Sequence, residues 1–397
     1  LPDQPNNRTV FFRHLPKTAG TSLTTTLANI YGEGQTYRFR HVGEGFGDLF
    51  GSTLQARGDV LSLVSGHIPM LAVAEGACGP EFTILREPIA RLLSLRRFLE
   101  IQPAEDRRRM GLGDRITVAD MLASRAPEVY GQVRNGMARF FSHSHAFADP
   151  EQPSFWHPNP SEAIIEDCAQ VLTRQAVGTV EDMPTAMRLL QRRLQVPYAL
   201  EIGMENFTTE RRDEVSLEEL RALIEVNAVD LALYHTVMKR LPRSQAPVAL
   251  GDGFDRRTLF DPRPDVTYTP MQIPGRQGFE LYEASDKLSW IGDSGRARIH
   301  LAPSAVPVTL KIALYGIVKH YPMAEMRILL DGARWPAQPI TAPSHMQFVL
   351  APIPAHAGPV ELTLVQPYSA PVAAITAGSP DRRRLGAALL NIRCEPA

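Results

Sequence analysis

Residues 10–27, VFFRHLPKTAGTSLTTTL, carry an apolar β-type run into a tight glycine-containing loop that opens a helix. Val10, Phe11 and Phe12 supply strand propensity, and Pro16 breaks the run. Lys17, Thr18, Ala19, Gly20, Thr21 and Ser22 then offer a cation, hydroxyls and backbone amides at a helix N-terminus, an arrangement suited to phosphate or sulfate. The order is not G-x-x-x-x-G-K-[ST], because Lys17 precedes Gly20, so a Mg²⁺-dependent triphosphate site loses its main support.

Residues 81–98, EFTILREPIARLLSLRRF, repeat the pattern of apolar strand, turn and helix. Arg86 ends the strand, Pro88 suits a first helical turn, and Ser94 lies two turns into the helix. Arg86 and Ser94 are candidates to share one anion, while Arg91 reads as a solvated arginine rather than a ligand. Parallel α/β sheets bind ligands at the carboxyl ends of their strands, so two such ends can hold both ends of a doubly anionic molecule.

The pair PKTAGTS and LREPIARLLS resembles the 5′-phosphosulfate and 3′-phosphate loops of sulfotransferases that use 3′-phosphoadenosine 5′-phosphosulfate (PAPS), in particular the glycan O-sulfotransferases that include the heparan sulfate enzymes. Further segments follow in the family's order. Ser65-Gly66-His67-Ile68-Pro69 is similar to its G-H segment, NGMARFF (135–141) to its N-x-Q-T-R-x-x segment, and GTVEDM (178–183) to its G-x-x-E segment. Glu205-Asn206 precedes a helix whose VDLALYH resembles the final D-x-x-L-Y pattern. Met137 and Ala138 depart from the family's Gln and Thr, which weakens any inference about the acceptor. The resemblance spans about the first three-fifths of the chain.

It implies that Lys17 to Ser22 hold the 5′-phosphosulfate, that Arg86 and Ser94 bind the 3′-phosphate, and that His67 is the base that takes the acceptor's proton. These assignments suit the residue types. Sulfuryl transfer needs a base of near-neutral pKa, in-line placement, and cations or amides for charge growing on the leaving phosphate, which Lys17 would stabilise. Sulfuryl transfer needs no metal, and His143, His145 and His157 lack the carboxylate or cysteine that would complete a usual ligand set. Asn135, Arg139, His145 and Trp156 are candidates to contact the acceptor, and His14 reads as a residue that fixes the loop.

The 397 residues suffice for two domains, and 21% charged with 44% hydrophobic residues is an ordinary globular balance. A net charge of −1 gives no general affinity for nucleic acid. Arginines nonetheless cluster at Arg86, Arg91, Arg96, Arg97 and Arg107 to Arg109, either as a polyanion-binding face or as a solvated one. Three scattered cysteines make no disulfide framework or zinc site and point to a reducing compartment. No apolar run is long enough to span a membrane. A bacterial cytoplasmic location, free or membrane-peripheral, is therefore expected, with a Golgi lumenal one as the alternative if an N-terminal anchor has been lost.

Before residue 243, apolar strands at 10–14, 61–65, 82–86, 176–179 and 198–204 alternate with helical segments, which predicts a P-loop-like, three-layer α/β domain over 1–243. One long last helix is expected after the Ser216/Glu219 capping box, its apolar face running from Leu217 to Met238. Prolines then mark 244–277 as a linker or wrapping segment. From 278 to 397, β-type runs at 279–282, 288–290, 297–300, 308–315, 326–330, 346–350, 360–365 and 388–392 predict an all-β sandwich of jelly-roll type. Residues 378–393 resemble the ending of β-sandwich modules in bacterial surface-polysaccharide transferases, which implies a glycan-binding, homo-oligomer-forming or purely structural role.

The expectation is a sulfotransferase that transfers from PAPS, releasing 3′-phosphoadenosine 5′-phosphate (PAP), to a hydroxyl of a saccharide or glycoconjugate. The alternatives are a nucleotide-dependent phosphoryl transferase on a related fold and a non-catalytic glycan-binding protein.

Overall fold

The computed structural model describes residues 9–39, 61–67, 80–142, 153–156, 162–202, 215–240, 254–280, 288–292, 294–318, 321–372 and 384–396. Its first part is built on five parallel strands, β1 (Val10–Arg13), β2 (Thr36–Phe39), β3 (Leu63–Gly66), β4 (Glu81–Leu85) and β5 (Ala176–Thr179). They lie in the order β2-β3-β1-β4-β5. The helices are α1 (Gly20–Tyr31), α2 (Pro88–Glu100), α3 (Ala104–Arg109), α4 (Val118–Ala123), α5 (Pro127–Val133), α6 (Gly136–Phe141), α7 (Glu162–Arg174), α8 (Met183–Arg193), α9 (Leu217–Val226) and α10 (Ala228–Arg240). Among the described residues, no helix is long and apolar enough to cross a membrane.

Both faces of the sheet are covered, which is why its strands read as continuous apolar runs. Val10, Phe12, Leu63, Phe82 and Ile84 pack on one face against Leu23, Leu27 and Ile30 of α1 and Leu190 of α8. On the other face Leu85 and Val177 meet α6, α7 and α10 through Met137, Phe141, Leu172 and Leu233. A further cluster joins Leu92, Leu95 and Leu99 of α2 to Met121, Val129 and Leu223. Arg13, 1% exposed, spans from β1 to Glu81 of β4 by a two-point ion pair at 3.1 and 3.2 Å.

The chain of strands turns back at β1. The segment after β1 leads to β2 on one side, whereas β4 and β5 lie on the other. The crevice at such a switch point, over the carboxyl ends of β1 and β4, is where open parallel sheets bind ligands.

Among the described residues, the second part has a separate two-stranded pair, Ala370–Pro371 with Arg384–Leu385, and two main antiparallel sheets packed face to face. One orders Ala333–Arg334, Arg327–Leu330, Val360–Val365, Arg296–Leu301 and Arg276–Gln277. The other orders Ala337–Thr341, Met346–Leu350, Val308–Gly316, Ala387–Pro396, Ser289–Ile291 and Phe279–Glu280. Alternate residues form the shared core, with Ile299, Leu301, Leu362 and Leu364 facing Leu310, Ile312, Leu314 and Phe348. Within the segment read as linker or wrapping, Thr267–Tyr268 pairs with the final strand and Arg276–Gln277 with Arg296–Leu301.

Two readings need correction. Residues 198–202 form no strand; their polar groups are spent on the junction between the two parts instead of on a ladder. Tyr198 donates its hydroxyl to Thr258 O (2.9 Å), and the Gln277 amide accepts from Glu201 N (2.8 Å) and donates to Ala199 O (3.0 Å). The expected single last helix is two, α9 and α10, broken at Asn227. The capping box at Ser216 and Glu219 is present, but Leu217 is exposed.

Candidate functional site

Because all five strands are parallel, their following residues gather at one edge. There His14 follows β1, His67 follows β3, Arg86 follows β4 and Glu181 stands just beyond β5. The loop after β1 is wound tightly. Lys17 and Ala19 both adopt left-handed backbone, with φ of 69° and 60°. For residues with a Cβ such conformations cost about 1–2 kcal/mol each. Ala19 is the N-cap of α1 and provides no side-chain cap, so no side chain of its own stops the helix N-terminus from presenting amides to an anion. The Thr18 hydroxyl, expected to face a ligand, is instead buried and donates to Leu15 O at 2.7 Å, closing the loop from within.

The cations around this loop crowd one another. The Lys17 ammonium lies 4.0 Å from the centre of the Phe98 ring, and Arg86 donates to Lys17 O at 3.4 Å. Burial, with Arg86 adding repulsion, brings the Lys17 pKa down to about 8. Arg86 is likewise shifted down, first by burial; Glu181 opposes the shift and Arg97 adds to it. The contact between Lys17 and Phe98 turns one face of α2 toward the loop, and half-buried Ser94 lies one turn before Phe98 on that face. Glu87 caps α2 by accepting from Ile89 N and Ala90 N, while Glu181 accepts from Glu87 N (2.8 Å) and the Tyr234 hydroxyl (3.1 Å).

His67 is held by backbone. Its Nδ1 lies 2.7 Å from His14 O, a carbonyl that only accepts, so Nδ1 bears the proton and Nε2 the lone pair of the neutral ring. The two imidazoles stack at 4.5 Å. Burial, then the nearby His67 and Lys17, lower the His14 pKa to about 3, which keeps that ring neutral. Thr24 of α1 and Ser65 of β3 share a 2.7 Å hydroxyl hydrogen bond, tying the His67 strand to the helix that begins at the loop. Gly20 is required by close approach: a Cβ there would fall 1.7 Å from Cδ2 of His14.

The remaining candidates divide. Asn135 is fully buried: with φ of 52° it is the N-cap of α6, and its Oδ1 accepts from Val229 N and Asp230 N at 3.2 Å. Asp230 returns the tie, accepting from Met137 N (2.9 Å) and Ala138 N (2.8 Å). Arg91, read as solvated, is 0% exposed; it pairs with Asp230 at 3.8 Å and donates to Gln132 O at 2.6 Å. Burial moves Arg91 down and Asp230 up, and each pulls the other back toward its charged form. Met137 and Ala138 are both buried in the core, so the departures from the Gln and Thr of the family segment are packing choices here.

Arg139 and Trp156 do come together, around Tyr130. The Arg139 guanidinium lies 5.6 Å from the Tyr130 ring and 4.7 Å from Phe155, and Trp156 is 4.8 Å from Tyr130. Burial draws the Arg139 pKa down to about 10. His145, with Ile68, Pro69, His143, His157, Glu205 and Asn206, lies outside the described residues. Sequence reasoning missed Asp230 as the hub of the network under α6 and Glu181 as the acceptor beside Arg86. Both occupied motif segments quoted for the resemblance, but the partners are distant in the chain.

No family model matches this chain, and no curated protein matches it. Among solved structures, a family GH115 4-O-methyl-α-glucuronidase with specificity for decorated arabinogalactans is 11% identical with a TM-score of 0.21, over 100% of this chain and 56% of that one. This chain thus spans little more than half of that protein, and a likeness at that score carries no argument about fold or chemistry.

Proposed function

We propose that this chain is a PAPS-dependent sulfotransferase of the glycan O-sulfotransferase type, on a P-loop-like three-layer α/β domain over 1–243, transferring a sulfuryl group to a saccharide hydroxyl. The observation that carries the reading is His67: its Nδ1 donates to a main-chain carbonyl, which sets the Nε2 lone pair as proton acceptor at the same sheet edge as the Lys17 loop. The residues suit the nucleotide. A helix N-terminus without a side-chain cap and two crowded cations, Lys17 and Arg86, favour an anionic ligand, and Ser94 extends the same face. PAPS, when bound, supplies the sulfuryl group and a phosphate leaving group.

The division of labour follows from position. Lys17 and the amides of Gly20 to Ser22 neutralise charge on the departing phosphate, Arg86 and Ser94 hold the second phosphate, and His67 Nε2 receives the proton of the acceptor hydroxyl. Neutral His14 orients the His67 ring without competing for that proton. The test is transfer of labelled sulfate from PAPS to a panel of saccharides. His67→Ala is expected to lose at least ~100-fold in transfer while binding PAP normally; near-normal transfer by that variant would remove the base assignment.

A further inference from the structure

A cavity of about 360 Å³ opens beside Gln35, which directly precedes β2, and is otherwise walled by residues 256–274. It therefore lies by the amino end of a strand, whereas the Lys17 loop and His67 stand at carboxyl ends. Its volume falls within the range of about 300–1,000 Å³ usual for small-molecule sites, and junctions between two packed parts are common places for them.

The wall is chemically mixed in a specific way. Arg257 is held through Nε and Nη2 by both carboxylate oxygens of Asp255 at 2.8–3.2 Å, while its buried Nη1 has no hydrogen-bond partner among the described residues. Arg256 and Arg263 are exposed and make no ion pair among the described residues. Asp261, also exposed, adds one carboxylate acceptor. The Tyr268 hydroxyl accepts from Arg263 N at 2.8 Å, so its own proton remains to be donated. Its ring is held edge-on to buried Phe260 at 4.9 Å, giving the cavity a rigid half-apolar wall. Two uncommitted guanidinium groups against one carboxylate favour an anion. A carboxylate acceptor and a phenol donor beside the Tyr268 ring together suit a hydroxylated ring carrying it.

We propose that this cavity binds one acidic sugar unit, a uronate or a sugar sulfate, with Arg256 and Arg263 on the anionic group and Asp261 on a ring hydroxyl. The site is separate from the Lys17 loop and does not depend on sulfuryl transfer.

Calorimetric titration of the full chain tests it with four probes: a sulfated disaccharide, a uronate-containing disaccharide, their neutral parent and sodium sulfate. The acidic disaccharides are expected to bind at least ~10-fold more tightly than the neutral parent and than sulfate alone. Arg256→Gln with Arg263→Gln, both at exposed positions, should weaken that binding ~10-fold or more without moving the melting temperature or PAP binding, and Arg263→Glu alone should abolish it. Equal binding of the neutral parent, sulfate binding as tightly as the acidic sugars, absence of binding by every probe, or unchanged affinity in both variants would overturn the proposal. Loss of PAP binding in wild-type chain, with acidic sugars still bound, would count against the sulfotransferase reading only.

Discussion

Lys17 illustrates how one residue's chemistry depends on its loop. Its left-handed backbone turns the side chain over Phe98, and burial beside Arg86 lowers its pKa to about 8, against an ordinary lysine value of 10.5. Between those values the unfolded chain holds a proton that the folded chain has released. Folding stability without ligand is therefore expected to rise as pH increases from about 8 to 10.5, while affinity for PAP falls above about 8 as the cation is lost. Urea unfolding and PAP titration across that range measure the two opposed trends, and Lys17→Met should flatten both. At Gly20 the constraint is space. Gly20→Ala would drive the His14 ring aside and with it the carbonyl that sets the His67 tautomer, so sulfuryl transfer is expected to fall more than stability.

Among the elements, the break between α9 and α10 has a clear cause. Asn227 is fully buried, donates to Val133 O and Leu223 O, and accepts from Asn135 N, so the chain bends to satisfy one amide. Asp230, in the first turn of α10, then neutralises Arg91 of α2 and accepts from two of the first amides of α6. Asp230→Ala strands a buried guanidinium and is expected to cost about 3–5 kcal/mol in denaturant unfolding, far more than removal of the exposed pair between Arg109 and Glu128.

That network marks the boundary of what the sequence makes legible. The Lys17 loop, Pro88 and the Ser216 capping box are written in neighbouring residues, and the strands at 346–350 and 360–365 stand where their apolar runs place them. From sequence Asn135 reads as an acceptor contact and Arg91 as a solvated arginine because their partners lie far along the chain; Ala138 N meets Asp230 across 92 positions. Short pairings such as Thr36–Phe39 and Ala337–Thr341 were equally opaque, since a strand of four or five residues with mixed polarity has no period to read.

Across the whole molecule, the junction between the two parts is built from aromatic and amide groups. The His300 ring stacks on Tyr198 at 3.5 Å, and its Nε2 accepts from the Gln277 amide at 3.0 Å. Burial, then Arg298, lowers the His300 pKa from 6.5 to about 3, as burial does for His14. Here too the unfolded chain binds the extra protons, so stability is expected to fall as pH drops from about 6.5 toward 3. His300→Gln, which cannot charge, should show a shallower acid slope by urea unfolding than wild type. An unchanged slope would locate the acid sensitivity elsewhere.

The sheet's carboxyl edge is where the functional reading is most exposed to test. Thermal unfolding of the full chain with PAP, with ATP and Mg²⁺, and with neither asks whether the Lys17 loop and Arg86 hold a doubly phosphorylated adenosine. The expected result is a rise in melting temperature with PAP that is lost in Lys17→Ala and Arg86→Ala. Stabilisation by ATP and Mg²⁺ alone, or none by PAP, would contradict it.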